Sequence, residues 1–215
     1  HSFPTRRSSD LIRTNDEGEI TVETEQAGGK KNTMGAGAVI LAMPPRLVAR
    51  TINFSPSLPE ELIKRLMKEP TWMAGQAKVV AVYNEPFWRE EGLSGQAMSW
   101  AGPLQEIHDA SPETGYGALF GFFGLPAKTR QEIGEERVRK LVLDQLIRLF
   151  GPSAEKPVSL LYKDWSSDSE TAVDEDLEPL RSFPNYGPIP TLGKKILFAG
   201  TETRSEERRV GKECP

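Results

Sequence analysis

The chain has 215 residues, of which 37% are hydrophobic and 27% are charged, and its formal net charge at pH 7 is -4. This composition is typical of a globular protein with one large or two small domains. The acidic balance gives no reason to expect nucleic acid or an anionic membrane as a partner, and no apolar run approaches the roughly 20 residues that span a bilayer.

The two ends of the chain are predicted not to be native. One strand of a single oligonucleotide can encode residues 1–11, the complementary strand can encode residues 204–214, and that DNA resembles a sequencing-library adapter. We therefore expect residues 1–11 and 204–215 to be translated adapter, and residues 12–203 to be an interior fragment. No signal-peptide pattern is present, which slightly favours the cytoplasm, although both native termini are expected to be missing.

Excluding these ends changes the inventory of reactive side chains. The remaining segment has 21 basic and 27 acidic residues, a single histidine, His108, and no cysteine, because Cys214 lies in the excluded end. Disulfides, thiolate nucleophiles and Cys/His metal sites are thereby excluded from residues 12–203, and we predict no metal site.

The first predicted elements are two strands followed by two helices. Residues 19–24 alternate like a half-buried strand, and residues 36–43 form a continuous apolar run typical of a strand buried on both faces. Two prolines then start a short helix that extends to Thr51. A second helix is predicted over residues 59–67, with acidic residues in its first turn and one apolar face formed by Leu62, Ile63 and Leu66.

The next strand, residues 75–83, contains a lysine on a partly apolar face. Alternation places Lys78 on the same side as Val80 and Val82. Taken alone, this pattern favours an edge strand guarded by a lysine. The alternative is a strand whose lysine points into a site that uses it.

The second half of the chain continues with strands and one long helix. Strands are predicted around residues 97–100, 118–123, 158–162 and 195–199, and a helix over residues 135–150. Gly121 interrupts the aromatic strand, which predicts close approach of another group. Residues 166–190 show no periodicity, and a loop of this length usually lines or covers a site. The order of elements predicts an α/β (α+β mixed) fold, a mixed sheet with helices inserted between pieces of another layer.

Several reactive-looking groups are better explained as structural. His108, Asp109 and Ser111 are too close in sequence to face one another as a catalytic triad, so we interpret them as a solvated turn. The acids of residues 170–178 lack calcium-loop spacing and are interpreted as a solvated loop. Trp165, at a strand end beside an acidic loop, and Gly200, after a buried strand, remain candidates for ligand contact.

Together, these segments resemble the flavin-dependent amine oxidase family. The matching landmarks, in order, are residues 39–45 (VILAMPP), 52–59 (INFSPSLP), 77–79 with 87–88, 121–122, 165 and 198–203 (FAGTET). The resemblance implies an FAD-binding, Rossmann-like domain, residues 12–45 and 190–203, interleaved with a mixed-sheet substrate domain, residues 46–189. It also implies hydride transfer from an amine C–N bond to noncovalent FAD, with O2 as the electron acceptor and H2O2 as its product.

The same resemblance assigns roles to individual residues. Lys78 matches the family lysine that holds a water against the flavin. Trp165 matches a tryptophan packed on the flavin. Gly200, Thr201 and Glu202 match the turn that touches the cofactor, and Ile107, Phe120 and Phe122 match positions that line the substrate cavity.

The chain also departs from the family pattern. The Gly-rich phosphate loop is absent, and the aromatic residue expected about ten positions after Trp165 is replaced by Val173-Asp174-Glu175, with Phe183 and Tyr186 as alternatives. Two other functions therefore stay open, a related flavin desaturase or protoporphyrinogen-type oxidase and a non-catalytic flavoprotein-like scaffold. The identity of the amine and the oligomeric state are not determined by the sequence.

Overall fold

The protein folds into two compact units. The computed structural model describes residues 8–25, 29–180, 184, 186–192 and 195–203. Unit 1 contains the described residues up to Trp72 and from Leu180 onward, whereas unit 2 contains Met73–Pro179. Each unit has its own hydrophobic core, and the α/β class predicted from the sequence is confirmed.

The described chain contains eleven strands and five α-helices. The strands are β1 Ser8–Thr14, β2 Ile20–Glu25, β3 Lys31–Ala36, β4 Val39–Leu41, β5 Asn53–Ser55, β6 Ala77–Tyr83, β7 Ala97–Met98, β8 Leu104–Asp109, β9 Gly117–Phe123, β10 Ser159–Asp164 and β11 Ile196–Phe198. The α-helices are α1 Pro45–Thr51, α2 Glu60–Lys68, α3 Phe87–Glu90, α4 Ala127–Ile133 and α5 Glu135–Phe150.

Unit 1 is built on a four-stranded sheet with the strand order β3-β2-β1-β5. Strands β1 and β5 are parallel, and the other pairs are antiparallel. Helix α1 starts with Pro45 in its first turn, where a missing N–H costs nothing. Helix α2 buries Leu62 and Leu66, which lie one turn apart, while Ile63 stays 37% exposed. The buried face of α2 is therefore narrower than predicted.

The predicted strand over residues 36–43 was wrong in its length and burial. Strand β3 ends at Ala36. Strand β4 is a separate short strand that forms a parallel two-stranded sheet with β11. Leu41 and Ile196 face the core of unit 1, whereas Ile40 on the opposite face is 64% exposed. A two-stranded sheet packed on one side leaves its other face uncovered, so continuous apolarity here did not indicate burial on both faces.

The pairing of β4 with β11 joins segments that are far apart in sequence. Residues 12–45 and 190–203, which were predicted to form one domain, contribute these strands to unit 1. Residues 46–72 also belong to unit 1. The assignment of FAD and substrate domains to these segments stays a prediction, as does the adapter origin of the ends. Residues 1–7 and 204–215 lie outside the described residues, whereas residues 8–11 form part of β1.

Unit 2 is an antiparallel five-stranded sheet in the order β10-β6-β9-β8-β7. Helix α5 packs on one face of this sheet, and its bounds agree with the prediction. Val138, Val142 and Leu146 are fully buried at helical spacing. The polar side chain of Gln145 can be buried among them because its amide is hydrogen-bonded. Its Oε1 accepts from the backbone N–H of Leu104 at 2.8 Å, and its Nε2 donates to the Leu104 carbonyl oxygen at 2.7 Å.

The remainder of this core depends on elements that the sequence did not reveal. Strand β8 and helix α4 were not predicted, and only the end of β8 had been assigned, as a turn. Gly121 is required for close packing, because a Cβ there would lie 2.8 Å from Cδ1 of Leu104 on β8. The close approach predicted at Gly121 is therefore observed.

The predicted solvated turn at His108 and Asp109 was wrong. Both residues belong to β8, and the Asp109 side chain is only 13% exposed. Its carboxylate accepts hydrogen bonds from Trp88 Nε1 at 3.0 Å and from the Arg89 guanidinium at 2.8 Å. Burial raises the pKa of Asp109, but hydrogen bonds from Ser111, Trp88 and Arg89 outweigh burial and lower this pKa from 3.8 to about 2. Asp109 is therefore a structural carboxylate that fastens α3 to the sheet.

Candidate active site

Lys78 lies on an interior strand. Strand β6 has β10 on one side and β9 on the other, so Lys78 is paired with Lys163 and with Phe122. The edge-strand interpretation of Lys78 is therefore wrong. The side chain points away from α5, because the buried residues of β6 are Ala77, Val79, Ala81 and Tyr83.

Three aromatic rings surround the ammonium group of Lys78. Its Nζ lies 5.0 Å from the ring centroid of Phe122, 5.1 Å from that of Trp165 and 5.7 Å from that of Phe120. The Phe120 and Phe122 rings contact each other edge to face at 4.8 Å. The structure thus brings together four residues that the sequence assigned to the site.

The hydrogen-bonding capacity of Lys78 is not used within the described chain. No described residue accepts a hydrogen bond from Nζ or forms an ion pair with it, in contrast to its neighbour Lys163, which pairs with Asp168 at 2.6 Å. Cation–π contacts contribute roughly 0.5–2 kcal/mol, depending on desolvation. They hold the ammonium over the rings but leave its three N–H donors free for an acceptor.

Trp165 is held at the end of β10 by its own backbone and by the preceding aspartate. The backbone N–H of Trp165 donates a hydrogen bond to the carbonyl oxygen of Gln76 at 3.1 Å. Gln76 lies two residues before Lys78. Asp164 accepts from the N–H and the hydroxyl of Ser166, which fixes the 3-10 turn that begins at Trp165. The orientation of Trp165 towards Lys78 therefore depends on how Asp164 is fixed.

A buried arginine, Arg130, fixes Asp164. Its side chain is 2% exposed and binds both carboxylate oxygens of Asp164 at 2.8 Å. The same guanidinium donates to the carbonyl oxygens of Gly75 and Leu125, so it links the end of β10 to the segments before β6 and after β9. Burial raises the pKa of Asp164, but hydrogen bonds from Arg130 and Ser166 outweigh it, and the net pKa is lowered.

The Arg130–Asp164 pair was missed by sequence reasoning. The two residues are 34 positions apart, and the only indication was an arginine in a segment with no assigned element. Tyr162 also donates to Asp164, at 3.0 Å, and burial together with the charge of Asp164 raises the pKa of Tyr162 to about 12. The pair and its neighbours form a preorganised support beneath Lys78 and Trp165.

Ile107 does not lie with the other predicted site residues. It is paired with Gly121, is 1% exposed and belongs to the core between the sheet and α5. Adjacent residues on a strand point to opposite faces, so Ile107 lies on the face opposite to Phe120 and Phe122. The assignment of Ile107 to the substrate cavity therefore does not fit the structure.

The neighbours of Ile107 occupy the face that it was expected to share. Glu106 is paired with Phe122, and His108 with Phe120. The His108 ring lies 6.3 Å from Phe120 and 6.4 Å from Phe122, between ring centroids. We call the surface formed by Lys78, Glu106, His108, Phe120 and Phe122 the Lys78 face. If residues 104–109 had been predicted as a strand, its alternation would have placed Glu106 and His108 on the Lys78 face.

The predicted cofactor turn lies in unit 1 and follows β11. Gly200 has φ +135°, a conformation that favours glycine, and residues Thr201–Thr203 form one 3-10 turn. The Glu202 side chain is buried, and its carboxylate accepts a hydrogen bond from the Trp72 N–H at 2.8 Å. Glu202 is thus engaged by the protein, while Gly200 and Thr201 are exposed.

Tyr186 and Phe183 are the two residues of this sequence that could replace the missing aromatic residue of the family's cage. Tyr186 is buried in unit 1, and its hydroxyl donates to Pro70 O at 2.8 Å. Phe183 lies outside the described residues. Asp174–Asp176, where the family aromatic was expected, form a 3-10 turn in which Asp176 is buried.

Within the part of the chain that the structure describes, no group of three or more His, Cys, Asp or Glu side chains is arranged to hold a metal ion. No described helix is long and apolar enough to cross a membrane.

Comparisons with known proteins identify relatives of this chain. The family described as flavin containing amine oxidoreductase matches residues 6–210. A probable flavin-containing monoamine oxidase A from Dictyostelium discoideum is 32% identical over 199 residues, covering 88% of this chain and 41% of the relative. A putrescine oxidase from Kocuria rosea is 34% identical over 172 residues, covering 74% and 34% of the two chains.

Solved structures agree with these sequence relatives. A triple mutant of putrescine oxidase, made to redesign cofactor binding, superposes with a TM-score of 0.70 at 28% identity. The match covers 93% of this chain and 44% of that one. The chain therefore spans less than half the length of the relatives that it matches.

Proposed function

Because the chain belongs to the family of flavin containing amine oxidoreductases, we propose that it is part of an FAD-dependent oxidase of small-molecule amines that uses O2 as electron acceptor. The observation that carries this proposal is the arrangement of Lys78, whose free ammonium donors lie among Trp165, Phe120 and Phe122. A lysine with this environment in an interior strand has no evident role in stabilising the sheet, but it suits a ligand-binding face.

The residues present fit one edge of a flavin. Flat aromatic rings provide a surface for a planar ring system, and the Lys78 donors require an acceptor that no described residue supplies. Gly200, with its positive φ, allows backbone to approach a ligand closely. We propose Lys78, Trp165, Gly200, Thr201 and Glu202 as the residues of this chain that contact FAD, which would be held noncovalently.

When bound, FAD supplies the difficult chemistry, accepting a hydride from the amine carbon and passing the electrons to O2. Lys78 provides a cationic donor that holds an acceptor, such as a water, at the Lys78 face and that can move a proton at Nζ. Phe120 and Phe122 exclude water and offer an apolar surface for the carbon chain of the amine. Arg130 and Asp164 keep Lys78 and Trp165 in position.

The experiment that tests this function replaces Lys78 by methionine in the complete protein that contains this chain. Lys78→Met preserves the length of the side chain and its contact with the rings but removes the charge and the donors. We expect the variant to retain flavin and to slow flavin reduction by amine, or reoxidation by O2, by roughly 100-fold, the usual range for a group that assists proton transfer. Stopped-flow absorbance of each half-reaction measures both rates.

Lys163→Met is the matched control. Lys163 is the cross-strand neighbour of Lys78 but is exposed and pairs with Asp168, so its loss should leave both rates unchanged. Equal rates in the Lys78→Met variant and the unaltered protein would remove the proposed role of Lys78.

The two other functions considered from the sequence make different predictions. A flavin desaturase or protoporphyrinogen-type oxidase would not release H2O2 with simple amines, and a scaffold would bind flavin without turnover. The family match and the names of the relatives favour amine oxidation. H2O2 formation measured with a panel of alkyl amines, aryl amines, diamines and amino acids distinguishes amine oxidation from the other two functions.

A further inference from the structure

A cavity of about 460 Å³ lies within unit 1. Its walls are formed by the turn between β1 and β2, by the segment that follows β5 and by the start of β11. All its lining residues fall within residues 12–203. The cavity is lined by the start of β11, whereas Gly200 follows the end of the same strand. The cavity and the candidate cofactor turn therefore lie at opposite ends of β11. Because Asp16 is one of its lining residues, we call it the Asp16 cavity.

The floor of the Asp16 cavity is apolar. Ile12 and Ile196 are 2% and 5% exposed and belong to the core of unit 1. Phe54, Leu58 and Leu192 are partly buried and pack against that core. Small-molecule sites in proteins typically measure roughly 300–1,000 Å³ and are lined mainly by hydrophobic side chains. The size and the lining of this cavity therefore suit a small molecule with an apolar body.

The rim of the cavity carries a carboxylate without a partner. Asp16 is exposed, and no described residue donates a hydrogen bond to its carboxylate or forms an ion pair with it. The turn that contains Asp16 is well braced, because the Gly18 N–H donates to the Asn15 carbonyl oxygen at 2.9 Å and the Asn15 side chain exchanges hydrogen bonds with Glu19. Asp16 is therefore held at the rim with free acceptor capacity.

Lys195 lines the same cavity, but its ammonium is already engaged. Its Nζ donates a hydrogen bond to the carbonyl oxygen of Gly18. Gly18 permits this contact, because a Cβ at its position would lie 3.1 Å from Nζ. A second acid, Glu17, follows Asp16 in the turn. Negative charge therefore outweighs positive charge at this rim, and the group that lacks a partner is an anion.

From this combination we infer that the Asp16 cavity binds a small amine with an aromatic or branched apolar body. The ammonium pairs with Asp16, and the apolar body lies on the floor beside Phe54 and Leu58. A ligand with a carboxylate is disfavoured, because Asp16 and Glu17 would repel its charge. No residue that lines the cavity is among those proposed to contact FAD. Binding at this cavity therefore needs neither FAD nor the proposed oxidation.

The first test titrates the isotopically labelled 215-residue chain with 2-phenylethylamine and follows the backbone amide signals of Gly18 and Ile196 by nuclear magnetic resonance. We expect saturable shifts of both signals. Binding of 2-phenylethanol, which lacks the charge, should be about fivefold weaker, and ethylamine, which lacks the apolar body, should give no saturable shift. Equal affinity for 2-phenylethanol, or tighter binding of 3-phenylpropionate, overturns the inference.

Asp16→Asn tests the assigned partner of the ammonium. This substitution keeps the shape of the side chain and removes its charge, so it should weaken 2-phenylethylamine binding about fivefold, the loss expected for an exposed ion pair. Glu17→Gln is the matched control, because Glu17 is exposed in the same turn but does not line the cavity. Its effect should be less than about twofold, since solvent and salt screen a more distant charge. Equal losses in the two variants contradict the role of Asp16.

The second test measures binding to the complete, flavin-loaded protein by equilibrium dialysis. The probe is phenylethyltrimethylammonium, a quaternary amine that carries no N–H and lacks the lone pair that amine oxidation requires. We expect one equivalent to bind per chain, about fivefold more weakly in Asp16→Asn. Equal binding by the unaltered protein and Asp16→Asn, or no binding, overturns the inference, whereas H2O2 formation with primary amines separately tests the proposed function.

Discussion

At the scale of single residues, the alternation of β6 correctly predicted which side chains share a face but not which strands lie beside them. Lys78 was expected at a sheet edge because lysine guards edges, yet β6 is interior. Strand neighbours depend on pairing between segments that are distant in sequence. The aromatic residues around Lys78 were predicted only through the family resemblance, since Trp165 and Phe122 come from two other strands of the sheet or their ends.

The error at Ile107 has a simple physical cause. Side chains alternate along a strand, so a shift of one residue moves an assignment to the opposite face. Residues 104–109 are β8, and its core-facing member is Ile107, whereas Glu106 and His108 point to the Lys78 face. The two polar side chains of this surface were therefore missed, because no strand had been predicted over residues 104–109.

Asp109 provides a prediction at the residue scale. Its pKa is lowered to about 2 in the folded state from an ordinary value of 3.8. A carboxylate with a lowered pKa stabilises the folded state at pH values above 3.8, and that stability is lost as the pH falls towards 2. The Arg89 side chain is largely exposed, so solvent weakens its interaction with Asp109. We therefore expect the ionised Asp109 carboxylate to contribute about 1 kcal/mol to the free energy of unfolding, which is less than the lowered pKa alone would imply.

Asp109→Asn should therefore be less stable than the unaltered chain by about 1 kcal/mol at neutral pH, and the difference should shrink in acid. Urea denaturation followed by tryptophan fluorescence over a series of pH values measures both quantities. A difference that persists unchanged below the folded pKa would contradict the assigned cause.

At the scale of elements, helix α5 could be predicted from the sequence, whereas helix α4 and the position of Arg130 could not. The apolar stripe of α5 follows helical periodicity and ends at Gly151, so the sequence determined its bounds. Helix α4 has no comparable stripe, since it buries only Ala127 and Arg130. Helix α4 places Arg130 next to the start of β6 and the end of β10. This role could not be predicted without knowing how the strands pair.

Removing Arg130 should therefore destabilise unit 2 strongly. Arg130→Met fills similar space but leaves the Asp164 carboxylate buried without its cation. Loss of one partner from a buried ion pair typically costs about 3–5 kcal/mol. We expect a reduction of this size in the free energy of unfolding, measured by urea denaturation.

Arg137→Met is the matched control for that change. Arg137 lies on the neighbouring helix α5 and is exposed, so its loss should cost no more than about 1 kcal/mol. Similar unfolding free energies for the two variants would show that the Arg130–Asp164 pair is not a central support.

At the scale of the whole molecule, the chain combines a unit made from two separated segments with a unit made from one continuous segment. The family resemblance predicted interleaved domains with other bounds, which stays a prediction, and the β4–β11 pair joins the two segments of unit 1. The position of residues 46–72 in unit 1 was not foreseen. Helices α1 and α2 pack against the core formed by β1 and β2, which depends on contacts that local patterns do not encode.

The distribution of candidate cofactor residues leads to a prediction for the isolated chain. In dinucleotide-binding folds, the pyrophosphate is held by a Gly-x-Gly-x-x-Gly turn at the start of a helix, and this sequence contains no such turn. The residues proposed to contact FAD include no such turn, so we expect them to supply only part of the binding energy for the cofactor.

We therefore expect the 215-residue chain, purified alone and dialysed after incubation with FAD, to be colourless. A longer protein that contains this chain together with a phosphate-binding turn should be yellow after the same treatment, because such a turn adds backbone donors that hold the cofactor's charged portion. A visible absorbance spectrum of both samples measures the retained flavin. A flavin band that survives dialysis in the isolated chain would show that the Lys78 face and the Gly200 turn hold the cofactor without a phosphate loop, and the division of binding energy argued above would have to be abandoned.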